Sequence, residues 1–77
     1  RIENLVLVVP HPTLRDFLCF ETLTLVPYDR QLIFKPFLDN LEIDWINAYH
    51  DKVRRTLMPH VENRPFQEWL EKNTEPL

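Results

Sequence analysis

A chain of 77 residues has room for one small domain, and 44% apolar with 12% aromatic content is enough to build a packed core. Nine basic against twelve acidic side chains leave a net charge of -3, the opposite of the basic stripe with which proteins replace the counterions of nucleic-acid phosphates. The longest apolar run, Leu5–Val9, is too short to span a bilayer, no secretory signal pattern opens the chain, and there is no glycine from which to build a phosphate-cradling loop.

The first predicted element is a strand over Arg1–Val9, rich in Ile, Leu and Val and bounded by Pro10, which cannot donate to a ladder. Past Asn4 both faces are apolar, the pattern of a strand covered on both sides. A chain this short buries only about 60% of its unfolded surface and struggles to cover two faces. It also begins inside that strand, so it is expected to be a piece of something larger. A polar connection over His11–Asp16 leads to a second strand over Phe20–Val26, which Pro27 ends. Tyr28–Pro36 reads as an extended crossover with a short third strand at Gln31–Phe34.

The second half reads as a helical hairpin. Asp39 with Glu42 has the spacing of a capping box. From Asn40 to Met58, Leu41, Trp45, Tyr49, Val53 and Leu57 recur every fourth residue, with Ile46 beside them and an Asp51–Arg55 pair on the outer face. Pro59 stops this helix. A second starts near Pro65, is expected to bury Phe66, Trp69 and Leu70, carries a Glu68–Lys72 pair, and ends by Asn73 and Pro76. The fold class is therefore α+β, two or three strands followed by a helical hairpin.

Few side chains suggest chemistry. Glu3 sits near the start of an otherwise apolar strand with Arg1 on the same face. The two form either a surface ion pair or, in the sharper reading, a metal ligand and its neighbour on a rigid strand. Glu21 heads the second strand and is read as a structural partner for an arginine. His11, His50 and His60 share no zinc spacing, and His50, one step off the apolar stripe, is read as a packing or hydrogen-bonding residue. The single cysteine, Cys19, rules out an internal disulfide, fits a reducing compartment and has no nucleophile signature. Trp45, Tyr49, Phe66 and Trp69 are more aromatics than two short helices need for each other, and are read as packing or interface anchors.

Three segments together carry a resemblance: Arg1-Ile2-Glu3-Asn4 running into Leu-Val-Leu-Val-Val-Pro, then Phe20 through Arg30, then Trp45-Ile46-Asn47-Ala48-Tyr49-His50 with Val53-Arg54. With Trp69-Leu70 and the closing Thr74-Glu75-Pro76-Leu77, the chain resembles the C-terminal end of a long-form Xaa-Pro aminopeptidase, a pita-bread metallopeptidase. The resemblance implies that residues 1–36 are the last strands of the catalytic domain and residues 37–77 a C-terminal helical extension. It implies two divalent metal ions, usually manganese, held by two Asp, one His and two Glu, of which Glu3 resembles the last and bridges both metals. Two cations about 3.5–4 Å apart repel, and a shared carboxylate offsets that charge while fixing their spacing. Arg1 resembles a residue that supports the ligand from behind. The other ligands lie upstream in the family pattern, so the 77 residues alone are expected to be inactive.

The implied activity is removal of the N-terminal residue from peptides with proline second, in a cytoplasmic homodimer with no nucleic-acid or membrane partner. The remainder of the catalytic domain is the implied partner of this chain. The alternative is a non-catalytic protein-interaction module of the same fold.

Overall fold

In the computed structural model the chain forms strands β1 (Val6–Pro10) and β2 (Leu18–Thr22), helix α1 (Asn40–Leu57) and helix α2 (Arg64–Asn73), an α+β arrangement. β1 and β2 pair antiparallel, with Val6 opposite Thr22, Val8 opposite Phe20 and Pro10 opposite Leu18. The His11 imidazole shapes their connection, its Nδ1 accepting from the backbone of Thr13 and Leu14 at 3.2 and 2.9 Å. Without a glycine to turn left-handed, the chain uses Asp16, whose φ is 65°; a short polar side chain tolerates that region better than most.

Both strands are shorter than the sequence predicts. β1 starts at Val6 rather than Arg1, and β2 covers Leu18–Thr22 rather than Phe20–Val26. The cause lies across the molecule. Past Thr22 the chain leaves the ladder because the Thr24 and Val26 carbonyls turn to the Tyr49 hydroxyl on α1, at 3.0 and 2.9 Å. The third strand expected at Gln31–Phe34 does not form. Asp29 accepts the Gln31 amide at 3.0 Å and curls Arg30–Leu32 into a 3-10 turn, followed by another at Lys35–Phe37.

α1 opens with a complete capping box. The Asp39 carboxylate accepts the Glu42 amide at 2.8 Å, and the Glu42 carboxylate accepts the Asp39 amide at 3.0 Å, so two orphan donors are satisfied reciprocally. Asp51 binds both Arg54 and Arg55, at 2.7 and 2.8 Å. Pro59 sits in a 3-10 turn over Met58–His60. Asn63 then caps α2, with Pro65 in its first turn. Glu68 pairs with Arg64 one turn before it, at 3.2 Å, rather than with Lys72.

The core lies between α1, α2 and the extended segment after β2. Tyr49, Val53 and Leu70 form it, with Leu25, Tyr28, Leu57, Met58 and Val61 packed around them. The C-terminal residues are strapped to its side: Arg30 donates to the carbonyls of Glu75 and Pro76, Arg54 to that of Thr74, and the Asn47 side chain accepts the Leu77 amide at 2.8 Å. Only six of the 77 residues are buried. The apolar side chains of β1 and β2 are open on both faces, and Phe66 and Trp69, expected inside, are 64% and 53% exposed. A ten-residue helix has a narrow inward stripe, and Leu70 with the buried Thr74 fills it.

Candidate functional site

The strand approach to β1 carries Arg1 and Glu3. Their side chains lie 3.7 Å apart at 90% and 69% exposure, an ion pair too wet to hold either group in place. Glu3 is therefore a carboxylate with both oxygens available at the open end of the hairpin. Hard divalent cations take oxygen donors of this type, so Glu3 fits one position of such a site. Nowhere does the chain gather three or more His, Cys, Asp or Glu side chains into a cluster that would enclose a metal. A metal held at Glu3 would need co-ligands that this chain does not gather around it.

The other residues singled out in the sequence do not join Glu3. Glu21 stands opposite Leu7 in the ladder, exposed and without an arginine partner in the chain. Cys19 is half-buried against the Pro10 carbonyl, with Sγ at 3.8 Å, and no histidine hydrogen-bonds to it. His60 is exposed in the turn between the helices.

The polar groups that do converge lie behind Glu3, between the extended segment and α1. The Tyr49 ring stacks on Tyr28 at 4.8 Å and on Trp45 at 5.8 Å. Its hydroxyl shares its proton between the carbonyls of Thr24 and Val26 and accepts the Val26 amide at 3.2 Å. Next to it, the wholly buried His50 accepts the Tyr28 amide on Nε2 at 3.0 Å. That bond fixes the neutral tautomer, with the proton on Nδ1, which has no partner in the chain. The Asn4 amide and the Tyr28 hydroxyl are likewise enclosed without partners.

Burial and then the positive Arg30 hold the His50 pKa below its ordinary 6.5. Burial, followed by the Tyr49 phenol, raises that of Tyr28; the adjacent Asn4 amide opposes the shift without forming a hydrogen bond of ordinary geometry. Sequence reasoning placed Tyr49 on the apolar stripe and read His50, one step off it, as a packing or hydrogen-bonding residue, but missed the backbone groups of Thr24, Val26 and Tyr28 as their partners. The available signal was the Tyr-His pair itself, because a phenol and an imidazole on an apolar stripe need hydrogen-bond partners.

The imidazole predicts a pH dependence. His50 binds a proton less readily folded than unfolded, so its contribution to stability is complete above the unfolded pKa of about 6.5. It is lost as the pH falls from there through the folded-state value, at up to about 1.4 kcal/mol per pH unit. Urea unfolding between pH 8 and 5 should show this slope, and His50→Gln, which keeps an acceptor but does not titrate, should remove it. Equal slopes in both proteins would exclude His50 as the source.

Residues 16–77 match the family described as the C-terminal region of peptidase M24. Over the whole chain the sequence is 38% identical to aminopeptidase P1 of Lotus japonicus and 38% identical to Xaa-Pro aminopeptidase 2 of Mus musculus, covering 12% of each. It is 40% identical to aminopeptidase P1 of Arabidopsis thaliana, covering 13% of that protein. The crystal structure of an X-prolyl aminopeptidase from Caenorhabditis elegans, described as a cytosolic enzyme with a di-nuclear active site, superposes with a TM-score of 0.80 at 30% identity, over 99% of this chain and 13% of that one. The chain thus spans about an eighth of the length of the relatives it matches. Similar along its whole length to a part of the Xaa-Pro aminopeptidases, it belongs to the family of C-terminal regions of M24 peptidases.

Proposed function

We propose that these residues work as the closing segment of a dinuclear metallo-aminopeptidase that removes the N-terminal residue from peptides with proline in the second position. Residues 1–36 complete the edge of the catalytic domain, and residues 37–77 form an extension that packs on it. Glu3 would be one of the ligands holding two divalent metals, manganese being the expected pair, and Arg1 would steady its carboxylate only once the rest of the catalytic domain covers the pair that is open in this chain. When bound, such a pair of ions activates water and polarises the scissile carbonyl. The chain's own part is to hold one carboxylate at a fixed place and to turn its apolar faces toward the rest of the enzyme. Trp45, Phe66 and Trp69, each more than half exposed, suit contacts with that remainder and with a second subunit; Tyr49 packs inside. The enzyme is placed in the cytoplasm, and the 77 residues alone are inactive.

The observation that carries this reading is the end-to-end match with one part of the Xaa-Pro aminopeptidases; that Glu3 stands as an unburied carboxylate just before β1 suits it. The rival reading, a non-catalytic interaction module, draws on the absence from the chain of any cluster of three or more metal-ligating side chains. One experiment separates them. The native gene product is purified, its intact mass measured, and hydrolysis of an Xaa-Pro dipeptide followed with chelator and after manganese is restored. The enzyme reading expects a mass several times 9.4 kDa and hydrolysis that stops with chelator and returns with metal. A product that neither hydrolyses the peptide nor responds to metal would leave the interaction module.

A further inference from the structure

We infer that Thr24 is a positioning residue for Glu3, coupling the extended segment that carries the carboxylate into β1 to helix α1; the inference rests on the reading of Glu3 as a metal ligand. Residues 1–4 make no backbone hydrogen bond within the chain, so the last tether before Glu3 is at Leu5, two residues on. Continued past Val6 and Thr22, the register sets Leu5 opposite Leu23. The Leu23 amide donates to the Leu5 carbonyl at 2.8 Å, one of the two bonds that an antiparallel pair of this kind exchanges. The return bond does not go to the Leu23 carbonyl. The Leu5 amide donates instead to the Thr24 hydroxyl oxygen, also at 2.8 Å.

Thr24 therefore has two attachments. Its hydroxyl holds the strand that leads to Glu3, and its carbonyl accepts from the Tyr49 hydroxyl in the core, at 3.0 Å. The helix thus has a hydrogen-bonded route to the segment that carries Glu3 through one side chain, beside the apolar approach of Ile2 to Trp45 and Ile46. A bridging carboxylate tolerates little displacement, because functional groups must be held to within about 0.5 Å of their productive place. Only one of the two ladder bonds is present here, and a threonine side chain supplies the other.

The test is metal affinity in the full-length protein, measured by competition between manganese and a chelator, with the melting temperature of the metal-free protein recorded alongside. Thr24→Val keeps the shape and loses the hydroxyl, and is expected to bind manganese about tenfold more weakly, at the lower end of what loss of a ligand's supporting contacts costs. Thr24→Ser keeps the hydroxyl and is expected to restore the wild-type affinity, which a purely packing role for the methyl group would not produce. Wild-type affinity in Thr24→Val, while Glu3→Gln loses metal, would overturn the positioning role and leave the reading of Glu3 standing. Undiminished metal in Glu3→Gln would instead remove that reading and this inference with it. If Thr24→Val does not fold, Tyr49→Phe releases the same carbonyl with the ring in place, and unchanged manganese affinity there overturns the role.

Discussion

Glu3→Gln in the full-length protein is expected to lower metal affinity by more than about a hundredfold, since changes to the residues that merely support a ligand already cost 10–100-fold. Turnover of an Xaa-Pro peptide should fall with it. The substitution is nearly isosteric and leaves the strand alone. The only charged contact Glu3 makes in the chain is the open 3.7 Å pair with Arg1, and exposed pairs of this kind contribute below about 1 kcal/mol. The fold should therefore survive, and the loss should appear in bound metal rather than in the melting curve of the apo-protein. In the proposed site, what the amide cannot supply is the negative charge that would offset the repulsion between two cations. Glu3→Asp is the informative companion: it keeps the charge but draws it back by one methylene, so an intermediate affinity would show that reach as well as charge matters. Full metal content with normal turnover in Glu3→Gln would take Glu3 out of the site.

Local chemistry was legible in the sequence wherever neighbours in the chain decide the outcome. The Asp39–Glu42 box, the Asp51–Arg55 pair and the stop at Pro59 are matters of three or four residues, and they appear where their spacing puts them. The strand ends were not legible, because a residue some 25 positions away decides them. Val, Leu and Thr after Thr22 suit a strand, but the Tyr49 hydroxyl offers the Thr24 and Val26 carbonyls a partner that the ladder cannot match. At Gln31 a single Asp29 side-chain bond overrode an apolar run. Phe66 and Trp69 mark the limit of periodicity: it identifies an apolar face without saying whether this chain or another covers it.

The two halves of the sequence form one structural unit. Beyond Leu23 the segment after β2 has no ladder partner, yet its backbone groups at Thr24, Val26 and Tyr28 are satisfied by two adjacent residues of α1. Arg30, Asn47 and Arg54 then tie the chain's last residues to the same layer. Such a network is side chain to backbone almost throughout, and it sets the position of the extended segment rather than adding much net energy per bond. A carboxylate presented at the end of this hairpin depends on that positional control more than on the depth of the core.

Tyr49 should show how much depends on the network. Tyr49→Ala is expected to destabilise the protein by about 3–5 kcal/mol, the range for deleting a large buried aromatic. For a unit of this size, total stability is about 4–12 kcal/mol by the usual per-residue range, so the variant sits near the edge of folding. Tyr49→Phe separates the two parts of that loss. The ring and its stacking on Tyr28 and Trp45 stay, while the Thr24 and Val26 groups lose their partner. Leaving part-buried backbone groups unsatisfied costs about 1–3 kcal/mol. Urea unfolding measures both variants, and hydrogen exchange locates the effect, because the Val26 amide should exchange faster in Tyr49→Phe than in wild type. A Tyr49→Phe protein with unchanged stability and a still-protected Val26 amide would reduce Tyr49 to a packing ring. The segment between β2 and α1 would then need another anchor, and the coupling of α1 to the Glu3 strand would lose its inner end.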